Sequence, residues 1–245
     1  MRLWKSWIVA KKDLAILRRR RALIISIVTL PLVIGVGLPF LTDYLIIKKH
    51  LSGSFVAELL ASFAFFFMII SALLPLYISS YSIVGEKIEK SLEPLLATPT
   101  SDGEILMGKY IGAFLPMILS VYLSAIVFMA LSDLVTFSML GYLYYPNWTF
   151  GIVMLVGVPL SIIYGISFGV FVSGKVSSAQ TAYQIGGASL IPFYVLYVMG
   201  EIDLVSLTST TNILIISAGI FVAVVILYFI SKATFNREKI LTEWK

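Results

Sequence analysis

The sequence predicts an all-α integral membrane protein with six transmembrane helices, and three observations carry that reading. From Ala22 onward the chain holds six stretches of 19 to 23 residues without an Asp, Glu, Lys or Arg. Each is long enough to cross about 30 Å of hydrocarbon at about 1.5 Å per helical residue. The composition is 59% hydrophobic and 13% charged, with a mean hydropathy of +0.98; soluble domains run near 45–50% apolar and about 25% charged. Apolar runs such as Phe63 to Ile70 do not alternate with polar residues, which disfavours a strand-built barrel.

Residues 1–21 read as an N-terminal interfacial amphipathic helix. Over residues 3–18, Trp4, Trp7, Ile8, Leu14 and Ala15 share one side, with Lys5, Lys12 and the arginines toward the other; Lys11 crowds the apolar side. Such a helix lies in the interface plane, tryptophans in the headgroup belt and lysines reaching to water. A purely topogenic basic tail is the alternative. Arg18 to Arg21 precede a long span, not a short apolar segment with a small-residue cleavage site, so no cleaved signal peptide is expected.

The first span, Ala22 to Thr42, carries Pro31, Pro39, Gly35 and Gly37, so a kink is expected, or an end to the embedded part at Pro39. The second, Leu59 to Tyr81, has Pro75 near its inner end. The interval 82–109 follows. Within it Val84, Ile88, Leu92 and Leu95 or Leu96 fall at helical spacing as an apolar stripe, while Glu86, Glu89, Lys90 and Glu93 occupy other faces. Residues 83–98 therefore read as a short amphipathic helix region, interrupted by Pro94 and ended by the Thr98-Pro99-Thr100 turn. An apolar stripe of this kind needs a partner, either the membrane surface or a groove on a soluble protein. Ser101 and Glu104 suit a capping box for the third span, Tyr110 to Ser132.

The interval Asp133 to Trp148 is hydrophobic although it lies between spans. Its Tyr142, Tyr144, Tyr145 and Trp148 suit a headgroup belt. Spans four to six read as Phe150 to Val172, Ala182 to Gly200 and Asn212 to Ser231, and a short basic tail follows. With the N-terminus in the cytoplasm, 16 of the 18 Lys and Arg fall on inner segments, leaving Lys48 and Lys49 outside. The positive-inside rule thus places both termini in the cytoplasm of a cell-membrane protein, with a basic rim facing anionic lipid. The whole of 1–245 reads as one transmembrane domain.

Much chemistry is excluded. Zero cysteines and one histidine leave no thiolate, iron–sulfur or imidazole site, so no metal is expected. No intramembrane charge marks an ion-coupled carrier. Asp133 reads as an interface residue rather than an ion ligand. No HExxH or GxxxxGK[ST] occurs, and Gly108-Lys109 lacks the glycine loop of a phosphate site. The chain is expected to be no enzyme and to bind no cofactor itself. The charge alone does not support nucleic-acid binding.

The segment from Ile83 to Phe114 resembles the signature of the type-2 ABC exporter permeases. The matching residues are Gly85, Glu86, Lys87, Leu92, Glu93, Leu95, Leu96, Pro99, Ser101, Glu104, Gly108 and Lys109. Ile88 stands where a carboxylate is common, and Ser91 replaces the usual threonine. The resemblance implies a cytoplasmic coupling helix between spans two and three, with Gly85, Glu86, Ile88, Leu92, Glu93 and Leu95 coupling to an ATPase. It implies a second permease copy or homologue and two cytoplasmic ABC ATPase subunits that bind ATP and magnesium. Residues 173–180 would be a second, smaller contact. The expected function is the permease of an ATP-driven exporter, with an amphipathic or lipid-like cargo suggested by the charge-free spans. A non-transporting scaffold or sensor that binds an ATPase is the alternative.

Overall fold

The computed structural model describes residues 3–19, 21–49, 52–88, 101–173, 175–176, 178–202 and 204–234. Every regular element among them is helical. Six helical stretches are long and apolar enough to cross a membrane: Arg21–Lys48, Gly53–Leu76, Gly103–Leu140, Trp148–Ser173, Gln180–Glu201 and Thr210–Ser231. The protein is thus a multi-pass membrane protein, as the charge-free stretches predict.

Helix α1 (Leu3–Arg19) is followed directly by α2 (Arg21–Lys49), α3 (Gly53–Ile88) and α4 (Asp102–Leu140). The fourth span is α5 (Trp148–Ile152), a π-helical turn (Val153–Gly157) and α6 (Val158–Ser173). The fifth divides into α7 (Ala179–Ala188) and α8 (Ile191–Glu201), and α9 (Thr210–Thr234) forms the sixth. Helices α3 and α6 form the centre. The apolar window of α3 is 78% buried, against 22% for those of α2 and α9. Helix α4 lies against α2 and α1, while α9 lies along α6.

The prolines do not break the first span. Pro31 has no amide to give the Ile27 carbonyl, and Ser120 Oγ donates to that carbonyl at 2.6 Å. One turn on, Ser124 Oγ donates to the Pro31 carbonyl at 2.5 Å. Gly35 makes room for this crossing, because any side chain there would strike Ser124. Pro39 lies inside α2 rather than ending it.

Three local features differ from the sequence reading. The third span does not stop near Ser132: α4 continues to Leu140 and closes on Gly141, whose φ of 74° is left-handed. The fourth span contains the π turn, where Tyr122 donates to the Met154 carbonyl at 2.9 Å. The fifth span is broken at Ser189 and Leu190, between the Gly186-Gly187 pair and Pro192. Glycine weakens a helix and proline starts the next one, so the break has a local cause. Tyr164 secures it by donating to the Ser189 carbonyl at 3.0 Å.

The loop after α4 also corrects the expected aromatic belt. Trp148 and Tyr142 are exposed, but Tyr145 is buried, packed on Phe128 and Phe150. Its hydroxyl donates to the Leu60 carbonyl at 2.9 Å. Burial, then the neighbouring Tyr144 and Asp133, push its phenol well above the usual range, so it remains a neutral donor. Asp133, read as an interface residue, holds this loop: its Oδ1 accepts the backbone amides of Tyr144 at 2.9 Å and Tyr145 at 3.0 Å. Asp133→Leu should therefore cost about 2–4 kcal/mol, since two amides lose a charged acceptor. Asp133→Asn, which keeps the oxygen, should recover most of it. Thermal unfolding in detergent checks this, and equal loss in both variants would remove the clamp.

Candidate functional site

The end of the bundle where α1 meets α4 is built from small residues. Gly108 and Gly112 lie one turn apart on α4 and receive the strip of α1 formed by Ser6, Val9, Ala10 and Asp13. A Cβ on Gly108 would come within 2.5 Å of Val9 Cβ and 2.7 Å of the Ser6 carbonyl oxygen. Close approach of backbones through a small-xxx-small pair is a usual way to dock helices within a membrane. Gly108, read in sequence as part of an isolated Gly-Lys pair, is thus a docking residue. The strip of α1 that packs on α4 is one that the sequence does not mark. Ser6, Val9 and Ala10 are buried, whereas Trp4, Trp7 and Ile8 are exposed on the outer side.

Just before this crossing, Ser101 caps α4 as its sequence predicts. The Glu104 amide donates to Ser101 Oγ at 3.3 Å, and the Ser101 amide donates to Glu104 Oε2 at 3.0 Å. The box accounts for one of two buried charges here, Glu104 at 6% exposure and Lys109 at 4%. Neither is an accident of the surface, because a buried charge needs compensating partners.

At the same end, α3 is longer than a span needs. It runs unbroken for 36 residues, Gly53–Ile88, roughly 54 Å at about 1.5 Å per residue against about 30 Å of hydrocarbon. Gly85, Glu86 and Ile88, three of the residues expected to couple, lie on the last turns of this helix. Leu92, Glu93 and Leu95 lie outside the described residues. Before those turns the helix is pinned to α6. Ser79 Oγ donates to the Pro75 carbonyl at 2.6 Å and lies 3.4 Å from the Gly165 carbonyl. Gly165 allows the contact, since a side chain there would strike the Ala72 backbone. The small contact expected at 173–180 has Ser178 capping α7, its side chain accepting the Thr181 amide at 3.1 Å.

A recess of about 590 Å³ opens between α4, α6 and α9, lined by residues including Tyr110, Phe114, Ile163, Val225 and Phe229. Its lining is almost wholly apolar. Among the described residues no group of His, Cys, Asp and Glu is arranged to hold a metal ion. What the arrangement offers is mechanical: a helix longer than the hydrocarbon is thick, rising from a tightly packed seam beside a second helix docked on glycines.

Comparison with known sequences agrees with this architecture. Residues 7–237 match the family described as ABC-2 family transporter protein. A relative, the probable ABC transporter permease protein NosY of Stutzerimonas stutzeri, is 31% identical over 178 residues, 72% of this chain. The match spans 62% of that relative's length. With the family match running through all six apolar stretches, the chain belongs to the ABC-2 family of transporter proteins.

Proposed function

We propose that this chain is the permease subunit of an ATP-driven exporter, whose ATP is hydrolysed on separate cytoplasmic ABC ATPase subunits. The observation that carries the reading is the continuation of α3 to Ile88 as one helix. A helix pinned at Ser79 and Gly165 transmits displacement along its length, because packed elements shift as units rather than deform. Force applied near Gly85, Glu86 and Ile88 would reach the α3–α6 seam at the centre of the bundle. In the complete assembly two permeases would meet two ATPases, with both termini cytoplasmic and the tryptophans of α1 in the headgroup layer. The exposure of Trp4 and Trp7 supports that last assignment.

Glu93 is assigned to a basic group on the ATPase, and Glu86 to setting the helix on the second span. Glu93→Lys would turn an attraction into repulsion. It should weaken complex formation by more than the roughly 0–1 kcal/mol of an exposed pair. Co-purification of the permease with the ATPase, followed by substrate-stimulated hydrolysis in vesicles, tests the proposal. Binding without stimulated turnover under any cargo would favour the scaffold reading instead. We further assign an amphipathic or lipid-like cargo, because the six apolar stretches hold no charge to grip an ion. Stimulation by ions alone would overturn that assignment.

A further inference from the structure

We propose that the recess between α4, α6 and α9 seats an acyl chain of an anionic phospholipid from the leaflet at the basic end of the bundle. Position is the first argument. The lining residues lie early in α4, from Met107 to Leu115, and late in α9, from Val224 to Phe229. Both stretches fall inside membrane-spanning windows. Met107, Val225 and Phe229 remain exposed, so the mouth faces hydrocarbon rather than water.

The lining is the second argument. Tyr110, one of two tyrosines in the lining, is already engaged: its hydroxyl donates to Ser167 Oγ at 2.9 Å, and Ser167 Oγ donates to the Ile163 carbonyl at 2.7 Å. The Tyr110 and Tyr228 rings meet edge to face at 6.4 Å and close that side. A polar cargo would find little to bind, whereas a run of methylenes needs no hydrogen bond. The volume, about 590 Å³, is enough for a stretch of acyl chain.

Charge complementarity is the third. Lys232 follows Phe229 by about one turn of α9. Helix α1, which packs on the same α4, ends on Arg18 and Arg19. A phosphate at this end meets positive charge while its chain enters the recess. This lipid is distinct from any transported cargo, and the inference holds whether or not the chain is an exporter.

The test fills the recess without touching its charged end. Val225→Trp places an indole in the wall, and Val222→Trp, on the same helix but outside the lining, is the control. The purified permease in detergent is mixed with palmitoyl-oleoyl phosphatidylglycerol or the matching phosphatidylcholine, without ATPase or nucleotide, and retained lipid is read by native mass spectrometry. Wild type and Val222→Trp should retain phosphatidylglycerol in preference to phosphatidylcholine, and Val225→Trp should lose about tenfold or more of that retention. Ile163→Phe fills the recess from the α6 wall, should give the same loss, and serves should Val225→Trp fail to fold. Unchanged retention in the filled variants overturns the proposal. Equal retention of both lipids by wild type overturns its anionic part. Loss of a dimer in the filled variants with lipid still retained would show that a second copy, not a lipid, occupies the recess.

Discussion

Gly165→Leu should strongly destabilise the folded bundle. A Cβ at this position meets the Ala72 carbonyl oxygen closer than real contacts allow, and its next neighbours, the Ala72 carbonyl carbon and Cα, lie at 3.1 and 3.4 Å. All three belong to backbone, so no rotamer change relieves the clash. The two helices must part along the most buried seam in the molecule, where Phe65, Phe67, Met68, Ile162 and Ile166 are fully buried. Overpacking commonly costs about 1–3 kcal/mol, and a backbone clash belongs at or beyond the upper end. For a chain of this size about 3 kcal/mol lowers Tm by roughly 6–12 °C. Gly219→Leu is the matched control, because nothing lies within 4 Å of its Cβ position. Fluorescence-detected size exclusion after a heating series reads both variants. A Gly165→Leu protein that melts with wild type would show that α3 and α6 are not in close contact.

The sequence made the spans legible because charge is costly in hydrocarbon and its absence leaves a long, unambiguous gap. It also marked the start of α4, since the Ser101–Glu104 box is a local signal completed within four residues. What it could not mark depends on partners. In lipid both faces of a helix are apolar, so periodicity loses the contrast that points to a core. The packed strip of α1, Ser6, Val9 and Ala10, was therefore not marked in the sequence: the tryptophans announce a headgroup-facing side, and the close contact comes from Gly108 and Gly112 on α4. The serines of α4 carry no mark of their role in the sequence; with Pro31 beside them, Ser120 becomes the donor to the Ile27 carbonyl. The break before Pro192 was available from the Gly186-Gly187 pair, but a run without charge looks continuous to hydropathy. Of the candidate coupling residues, Gly85, Glu86 and Ile88 fall on the last turns of α3. Their spacing identified a helix but not its continuity with the second span, because no residue between Pro75 and Glu86 announces either a break or its absence.

Leu92→Ala combined with Leu95→Ala should uncouple the permease from its ATPase while leaving the membrane bundle intact. Both leucines continue the stripe of Val84 and Ile88, and α3 delivers that stripe in helical phase as far as Ile88. Four residues on, Leu92 returns to the same side of any helix that keeps this phase, and Leu95 follows at i+3. Entry of each leucine into a cleft on the ATPase would contribute roughly 1.5–3 kcal/mol of apolar transfer. Their joint loss should weaken attachment by at least about a hundredfold, at 1.4 kcal/mol per factor of ten. The bundle is indifferent on this account, because its core is built from α3, α4, α6 and their neighbours within the membrane window. Attachment must therefore be measured beside thermal stability, since leucine truncation in any core also destabilises. The expected result is a parental Tm, weak co-purification, and ATP hydrolysis that no longer responds to cargo. A variant that melts early while its folded fraction holds the ATPase normally would place these leucines in the permease's own packing. The force would then have to enter α3 by another face, and Glu86, already on the helix, would be the next residue to test.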